Sequence, residues 1–296
     1  MGSPHYAEMI LESLHTYGQN LVGVVTQPDK RVGRGRTMQS PPVKTLANTL
    51  GIPSWQPEKL NTKNFREMLE KLAPELIVVA AYGKILRKDV LDFPKYGCVN
   101  VHASLLPRWR GASPVQAAIL HGDAKTGVTI MKMDEGIDTG AVIARAAVEL
   151  KGNEIAGNLT GKLALTGAQL LVDTLPDYLA GKITPEAQDE KRATYAGLIK
   201  KEDGLISFDQ PAAKIERMVR ALNPWPTAFF HWEDAIVKVY SARVMPNSSL
   251  KPGKHGRVDK YPIMGTASND LMLLELQQSG KKRVDGKVFL NGARNW

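Results

Sequence analysis

Short apolar runs alternate with helix-period stretches over the first 180 residues. Residues 21–26 (LVGVVT), 75–81 (ELIVVAA), 97–103 (GCVNVHA) and 126–133 (TGVTIMKM) have strand length and carry many β-branched side chains. Between them, residues 4–16, 42–50, 62–72 and 113–120 repeat their apolar positions with a helical period. The last of these is well punctuated, with Ser113 placed to cap, Pro114 at the first helical position and Gly122 just past the end. Continuous apolar strands alternating with helices predict an α/β domain: a doubly wound, mostly parallel sheet covered on both faces.

A long helix is expected over 155–179, followed by a polar stretch, 181–194 (GKITPEAQDEKRAT), whose Pro185 and charges read as a linker. After a helix over 209–222 the pattern changes to closely spaced short strands: 228–232, 235–242, 256–259, 262–267, 271–277 and 287–290. That spacing predicts a small C-terminal β-barrel of OB-like type. The organisation is therefore a first domain over 1–180, a linker over 181–199 and a second domain over 200–296. The start of the chain is unusual. It enters a helix directly after Met1-Gly2-Ser3-Pro4, where a doubly wound domain would open with a strand. The expectation is that about seven residues precede Met1 in the natural chain, and that without them the sheet has a gap beside 21–26.

Composition narrows the class. With 43% hydrophobic and 23% charged residues in 296, the chain is neither disordered nor collagen-like. No run of about 18 apolar residues occurs, the N-terminus lacks a basic-then-apolar signal, and Cys98 is the one cysteine. A cysteine framework and a cysteine-rich zinc site are excluded, and the histidines show no metal-ligand spacing. The expected setting is cytoplasmic, without membrane or metal. The net charge is +9, and residues 200–296 hold 16 Lys and Arg against 10 Asp and Glu. A basic appended domain suits a polyanion, nucleic acid first.

Candidate chemistry concentrates at one strand end. Asn100 and His102 lie two apart in a strand and so face the same side. Residues 104–111 (SLLPRWRG) follow, at the end where open α/β sheets bind ligands. Asp138, in the Gly-flanked loop 134–140 (DEGIDTG), can return to the same edge. An amide, an imidazole and a carboxylate with no nucleophilic Ser or Cys beside them suit acyl-type transfer to an amine. His102 and Asn100 would donate to an oxyanion, and Asp138 would orient His102 or take the amine proton. Arg31, Arg34 and Arg36, interleaved with Gly33 and Gly35, form a basic loop suited to phosphate or base contacts. It lacks the Gly-Lys-Ser/Thr of a P-loop.

The run 100–111 (NVHASLLPRWRG) resembles the signature of the folate-dependent formyltransferases, and 134–140 resembles that family's second catalytic segment. Residues 27–44 (QPDKRVGRGRTMQSPPVK), Asp203-Gly204 and Asn223-Pro224-Trp225-Pro226 are also similar, so the resemblance spans nearly the whole chain. It implies 10-formyltetrahydrofolate as formyl-donor co-substrate and the amino group of initiator methionyl-tRNA as acceptor, in translation initiation. It also implies Asn100, His102 and Asp138 as the catalytic group. The folate site would be formed by Ser104, Leu105, Leu106, Pro107, Lys84, Ile85 and Leu86. For Ile85 and Leu86, core packing is an equal reading of the sequence. The tRNA contacts would be Arg31, Arg34, Arg36, Lys281, Lys282 and Arg283, on a monomeric chain. An amino-sugar nucleotide is the alternative acceptor; the basic loop and basic C-terminal third favour tRNA.

Overall fold

The computed structural model describes residues 1–32, 35, 37–246, 250–293 and 295–296. The chain forms two compact units. The first comprises Met1–Pro114, Lys125–Glu149 and Thr160–Ala196; the second comprises Val115–Ala124, Leu150–Leu159 and Gly197–Trp296.

In the first unit, α1 (His5–Thr16) buries Tyr6, Ala7, Ile10, Leu11 and Leu14, as its 3.6-residue period requires. It leads to β1 (Val24–Val25), a hairpin of β2 (Lys30–Val32) and β3 (Thr37–Gln39), α2 (Pro42–Thr49) and β4 (Ser54–Trp55). Then come α3 (Lys63–Leu72), capped by the Thr62 hydroxyl on the Phe65 amide at 3.3 Å, and β5 (Ile77–Val79). After α4 (Lys88–Leu91), β6 (Cys98–His102) pairs parallel with β5. The short β7 (Arg110–Gly111) and α5 (Pro114–His121), which belongs to the second unit from Val115 on, precede β8 (Lys125–Lys132), which pairs antiparallel with β6 and with β9 (Val142–Glu149). Pairing is parallel between β1 and β4 and between β5 and β6. The strand β9 was not legible in AVIARAAVEL, where small and charged residues dilute the alternation. The turn at 134–140 makes it the hairpin partner of β8, and hairpin partners are antiparallel.

The expected gap beside 21–26 is present in a particular form. Met1 and Gly2 stand between β1 and β5: the Gly2 amide donates to Val25 O (3.0 Å), and Ala80 donates to Met1 O (2.9 Å). Next to this two-residue bridge lies a cavity of about 150 Å³ lined by Leu14, Leu21, Val22, Leu69, Leu76 and other apolar residues. Of 21–26, Val24 and Val25 form strand, paired with Ser54 and Trp55, and all of 21–25 border the cavity. Burial pushes the Met1 α-ammonium down from 8.0 to about 6.

The helix α6 (Ala156–Leu179) follows, and the segment read as a linker is built into the first unit as far as Ala196. Glu186 and Val142 exchange backbone hydrogen bonds, and β10 (Tyr195–Ala196) pairs parallel with β7.

The second unit contains α7 (Ala212–Ala221), β11 (Ala228–Trp232), β12 (Ala235–Met245), β13 (His255–Val258), β14 (Tyr261–Gly265), β15 (Asp270–Gln278), β16 (Val284–Asp285) and α8 (Gly286–Gly292). The antiparallel sheet runs β11-β12-β15-β14-β13, with β16 on β15. It is an open six-stranded sheet: among the described residues β11 and β13 do not pair, so no barrel closes. Its core sets Val237, Val239, Leu271 and Leu273 against Ile215 and Val219 of α7 and Phe289 of α8. Residues 287–290, expected as a strand, lie in α8. Asp285 caps it by accepting from the Lys287 amide at 2.8 Å, a signal outweighed in the sequence by the apolar Val-Phe-Leu run. Trp225, between Pro224 and Pro226, is 59% exposed.

Candidate active site

The end of β6 brings the three expected residues together. Asn100 and His102 lie on one side of the strand, opposite Met131 and Thr129 of β8, and both reach Asp138. The Asp138 carboxylate is held through both oxygens: Oδ1 accepts from Asn100 Nδ2 at 3.2 Å, and Oδ2 accepts from the Gly111 amide at 2.8 Å. His102 Nδ1 stands 3.5 Å from the same Oδ2. His102 is 6% exposed, and its Nε2 donates to Trp109 O at 2.9 Å. Both ring nitrogens therefore face oxygens, Nε2 in a hydrogen bond and Nδ1 at the longer distance.

The loop after β6 is shaped to make these contacts. Ser104 Oγ donates to Arg108 O (2.6 Å), Thr129 Oγ1 donates to Ser104 O (2.7 Å), and the Leu106 amide donates back to Thr129 Oγ1 (3.1 Å). Arg145 Nε binds Leu106 O at 3.0 Å. Trp109 takes φ +61°, which turns its carbonyl to His102. Gly111 takes φ +104°, and a Cβ there would lie 2.5 Å from Ala196 O, so glycine lets β10 approach. The second loop is closed by Asp134, whose Oδ1 accepts from the Gly136 amide and from Thr139 Oγ1. Asp138 itself has φ +55°, a left-handed conformation that costs a non-glycine residue roughly 1–2 kcal/mol.

Residues 1–175 match the family described as "Formyl transferase", and residues 198–294 match "Formyl transferase, C-terminal domain". The chain belongs to the formyl transferase family. It is similar to the methionyl-tRNA formyltransferase of Agathobacter rectalis, 45% identical over 99% of this chain and 95% of that protein. Among solved structures, the methionyl-tRNA formyltransferase from Clostridium thermocellum shares the fold with a TM-score of 0.51 at 24% identity, covering 79% of this chain and 87% of that one. WlaRD, a sugar 3N-formyl transferase solved with dTDP and 5-N-formyl-THF, shares it with a TM-score of 0.68 at 17% identity, covering 95% and 97%.

In this formyl transferase the residues expected at the folate site divide into two groups. Ile85 is 79% exposed, whereas Leu86 is packed with Val25, Tyr82 and Val90 in the core. Ser104 and Leu106 are buried, Ser104 Oγ bonded within the loop and the Leu106 backbone bonded to Thr129 of β8 and Arg145 of β9, while Leu105 and Pro107 are half-buried. Lys84 Nζ donates to the carbonyls of Pro57 and Glu58, at 2.5 and 2.7 Å. Because β5 and β6 are adjacent and parallel, the loops after them leave the sheet at the same end.

The basic residues also divide. Arg31 is exposed on β2, opposite Met38, and the base of that hairpin is fixed by Asp29, which accepts from Lys44 and Gln56. Those bonds hold the Asp29 carboxyl below its ordinary range. Arg34 and Arg36 lie outside the described residues. Lys281 and Lys282 are exposed in the turn before β16, whereas Arg283 is paired with Glu275 and stacked 4.2 Å from the Tyr240 ring.

Sequence reasoning missed the shell around Asp138. Arg110 is fully buried and bidentate to Glu190, at 2.8 and 2.6 Å. Its Nε and Nη2 also donate to Gln188 Oε1 at 3.1 and 2.9 Å. Gln188 Nε2 in turn donates to Asp138 O (2.9 Å) and Gly140 O (2.7 Å). These partners lie about fifty or more residues apart in the chain, and no local pattern joins them. Among the described residues, no three His, Cys, Asp or Glu side chains are grouped for a metal, and no helix is long and apolar enough to cross a membrane.

Proposed function

We propose that the chain transfers a formyl group from 10-formyltetrahydrofolate to the free amino group of initiator methionyl-tRNA, in support of translation initiation. Full-length similarity to a protein named methionyl-tRNA formyltransferase supports the acceptor, and WlaRD, solved with a formylated folate, supports the donor class. The observation that carries the chemistry is the Asp138 carboxylate, fixed through both oxygens between Asn100 and the loop after β6.

The reaction forms a bond from the amine nitrogen to the formyl carbon and breaks the bond from that carbon to the donor nitrogen. The amine proton leaves and the donor nitrogen gains one, giving a formylamide and tetrahydrofolate. Asp138 accepts the amine proton, with the His102 ring beside it to share the charge. Asn100 uses one amide hydrogen on Asp138 and has the second to give to the developing oxyanion. The His102 Nε2 hydrogen is on Trp109 O, so in this arrangement His102 steers Asp138 and orders the 104–111 loop. It reaches a formyl oxygen only by leaving that carbonyl.

For the donor, the exposed Ile85 and the half-buried Leu105 and Pro107 offer apolar contact at the sheet end that carries Asn100. Ser104, Leu106 and Leu86 act by shaping that end. For the acceptor, Arg31, Arg34 and Arg36, and the turn with Lys281 and Lys282, supply phosphate contacts. The same reading makes the chain a cytoplasmic monomer, which sedimentation checks for its mass. The deciding experiment offers charged initiator tRNA and a dTDP-amino sugar in parallel with 10-formyltetrahydrofolate. Formylation of the methionyl amine alone is expected; formylation of the sugar alone would overturn the proposal.

A further inference from the structure

We infer that Gln188 is a positioning residue for formyl transfer. Its amide clamps the backbone on both sides of Thr139 and thereby holds Asp138 in its left-handed conformation, with the carboxylate on Asn100 and Gly111. The inference rests on the reading of Asp138 as the proton acceptor.

Three features carry it. First, every hydrogen-bonding position of the Gln188 amide is used. Nε2 has two hydrogens and meets two carbonyls, Asp138 O and Gly140 O. Oε1 has two lone pairs and meets two guanidinium nitrogens of Arg110. Acceptors on one side and donors on the other leave a single orientation for the amide. Second, the group behind the amide is rigid. Arg110 is fully buried and bidentate to Glu190, and its own backbone amide is bonded to Thr194 O at 2.8 Å. Third, the segment carrying Gln188 is attached without it. Glu186 bonds Val142 in both directions (2.7 and 2.8 Å), and the Thr194 amide donates to Pro107 O (3.2 Å). Gln188 is thus not needed to tie the strap down. Its amide instead joins an immobilised guanidinium to the one loop residue whose carboxylate faces the reaction.

The test uses Gln188→Glu as the main variant. It keeps the acceptor for Arg110, but sets a carboxylate oxygen against two carbonyls in place of two N–H donors. Gln188→Met, which removes both sides, accompanies it. Steady-state kinetics with 10-formyltetrahydrofolate and charged initiator tRNA are measured for both, with thermal melting as the folding control. The expected result is a fall in kcat of about tenfold to a hundredfold, the scale of a small misplacement of a reacting group. KM for either substrate should stay within about twofold. Combined with Asp138→Asn, Gln188→Glu should cost less than about twofold further in single-turnover assays, because the group it positions is already gone. A Gln188→Glu enzyme with wild-type kcat overturns the inference, as does an equal loss with and without Asp138→Asn, which would mark a general structural role. Unimpaired turnover by Asp138→Asn alone would instead remove the catalytic reading of Asp138, so the two failures are told apart.

Discussion

The sheet of the first unit is finished differently on its two sides of β5. Towards β6, β8 and β9, the polar groups around Asp138 are densely paired: both carboxylate oxygens and the whole Gln188 amide are engaged, and both His102 ring nitrogens face oxygens. Towards β1, the join is a two-residue bridge at Met1 and Gly2 beside an apolar cavity of about 150 Å³. Dense polar pairing costs stability unless every partner is present, and it fixes geometry. An apolar void costs stability and fixes nothing. The contrast assigns turnover to one side of the sheet and a reserve of stability to the other, so substitutions on the two sides should separate kcat from Tm.

The largest effect is expected at Asp138. Asp138→Asn keeps the shape and removes the charge, and turnover should fall by about 10²–10⁴-fold, the range for a positioned acid or base. The melting temperature and folate affinity should change little. Near-normal turnover would place the proton acceptor elsewhere. Asn100→Ala follows, with an expected barrier increase of about 2.7–4 kcal/mol if its second amide hydrogen serves the oxyanion. If Asn100→Ala keeps full turnover while His102→Ala loses it, Asn100 only steadies Asp138.

On the other side of the sheet the expected effect is thermal. Joining an apolar segment of about seven residues ahead of Met1 extends the bridge between β1 and β5 into the cavity. Filling about 150 Å³ at roughly 24 cal/mol per Å³ amounts to about 3–4 kcal/mol, or roughly 10 °C in Tm. The kcat should be unchanged. The segment also turns the Met1 ammonium into an amide. That ammonium titrates near 6 when folded, below its ordinary 8.0, so the unfolded chain binds the proton more tightly. Stability of the unextended chain should therefore rise as pH goes from about 6 to 8, and the extended chain should lack that slope. No gain in Tm on extension would mean that the cavity is not a strand slot.

How much of this was legible in the sequence follows the same division. Asn100 and His102 share a face by the two-residue period, and the glycines around Asp138 mark a turn back to the edge. The site's centre can therefore be read locally. Gln188 sits in GKITPEAQDEKRAT, where Pro185 and six charged residues imitate a linker. Its role comes from Arg110 and from the carbonyls at 138 and 140, contacts set only by tertiary register. In the second unit the strand periods were correct for β11 to β15, but no local pattern states whether the sheet closes. At 287–290, apolar content outweighed the Asp285 cap.

The distinction between held and unheld groups reaches the basic residues of the second unit, where the smallest effects are expected. Lys281 and Lys282 are exposed, and neither has a side-chain ion pair among the described residues. Arg283 is bound to Glu275 and lies on the Tyr240 ring. A cation that already has an acidic partner releases less counterion on meeting phosphate, because its charge is partly neutralised before the RNA arrives. Lys281→Ala with Lys282→Ala should therefore lower the slope of log(kcat/KM) for methionyl-tRNA against log salt by roughly one to two units, similarly for different tRNAs. Melting should be unaffected. Arg283→Ala should change the slope by less than half as much, yet cost up to about 1 kcal/mol of stability through the lost cation–π and ion-pair contacts. Measuring both quantities for both variants separates the cases. If Arg283→Ala flattens the salt dependence as strongly as the lysine pair, its bond to Glu275 gives way to phosphate, and Arg283 belongs with the RNA contacts.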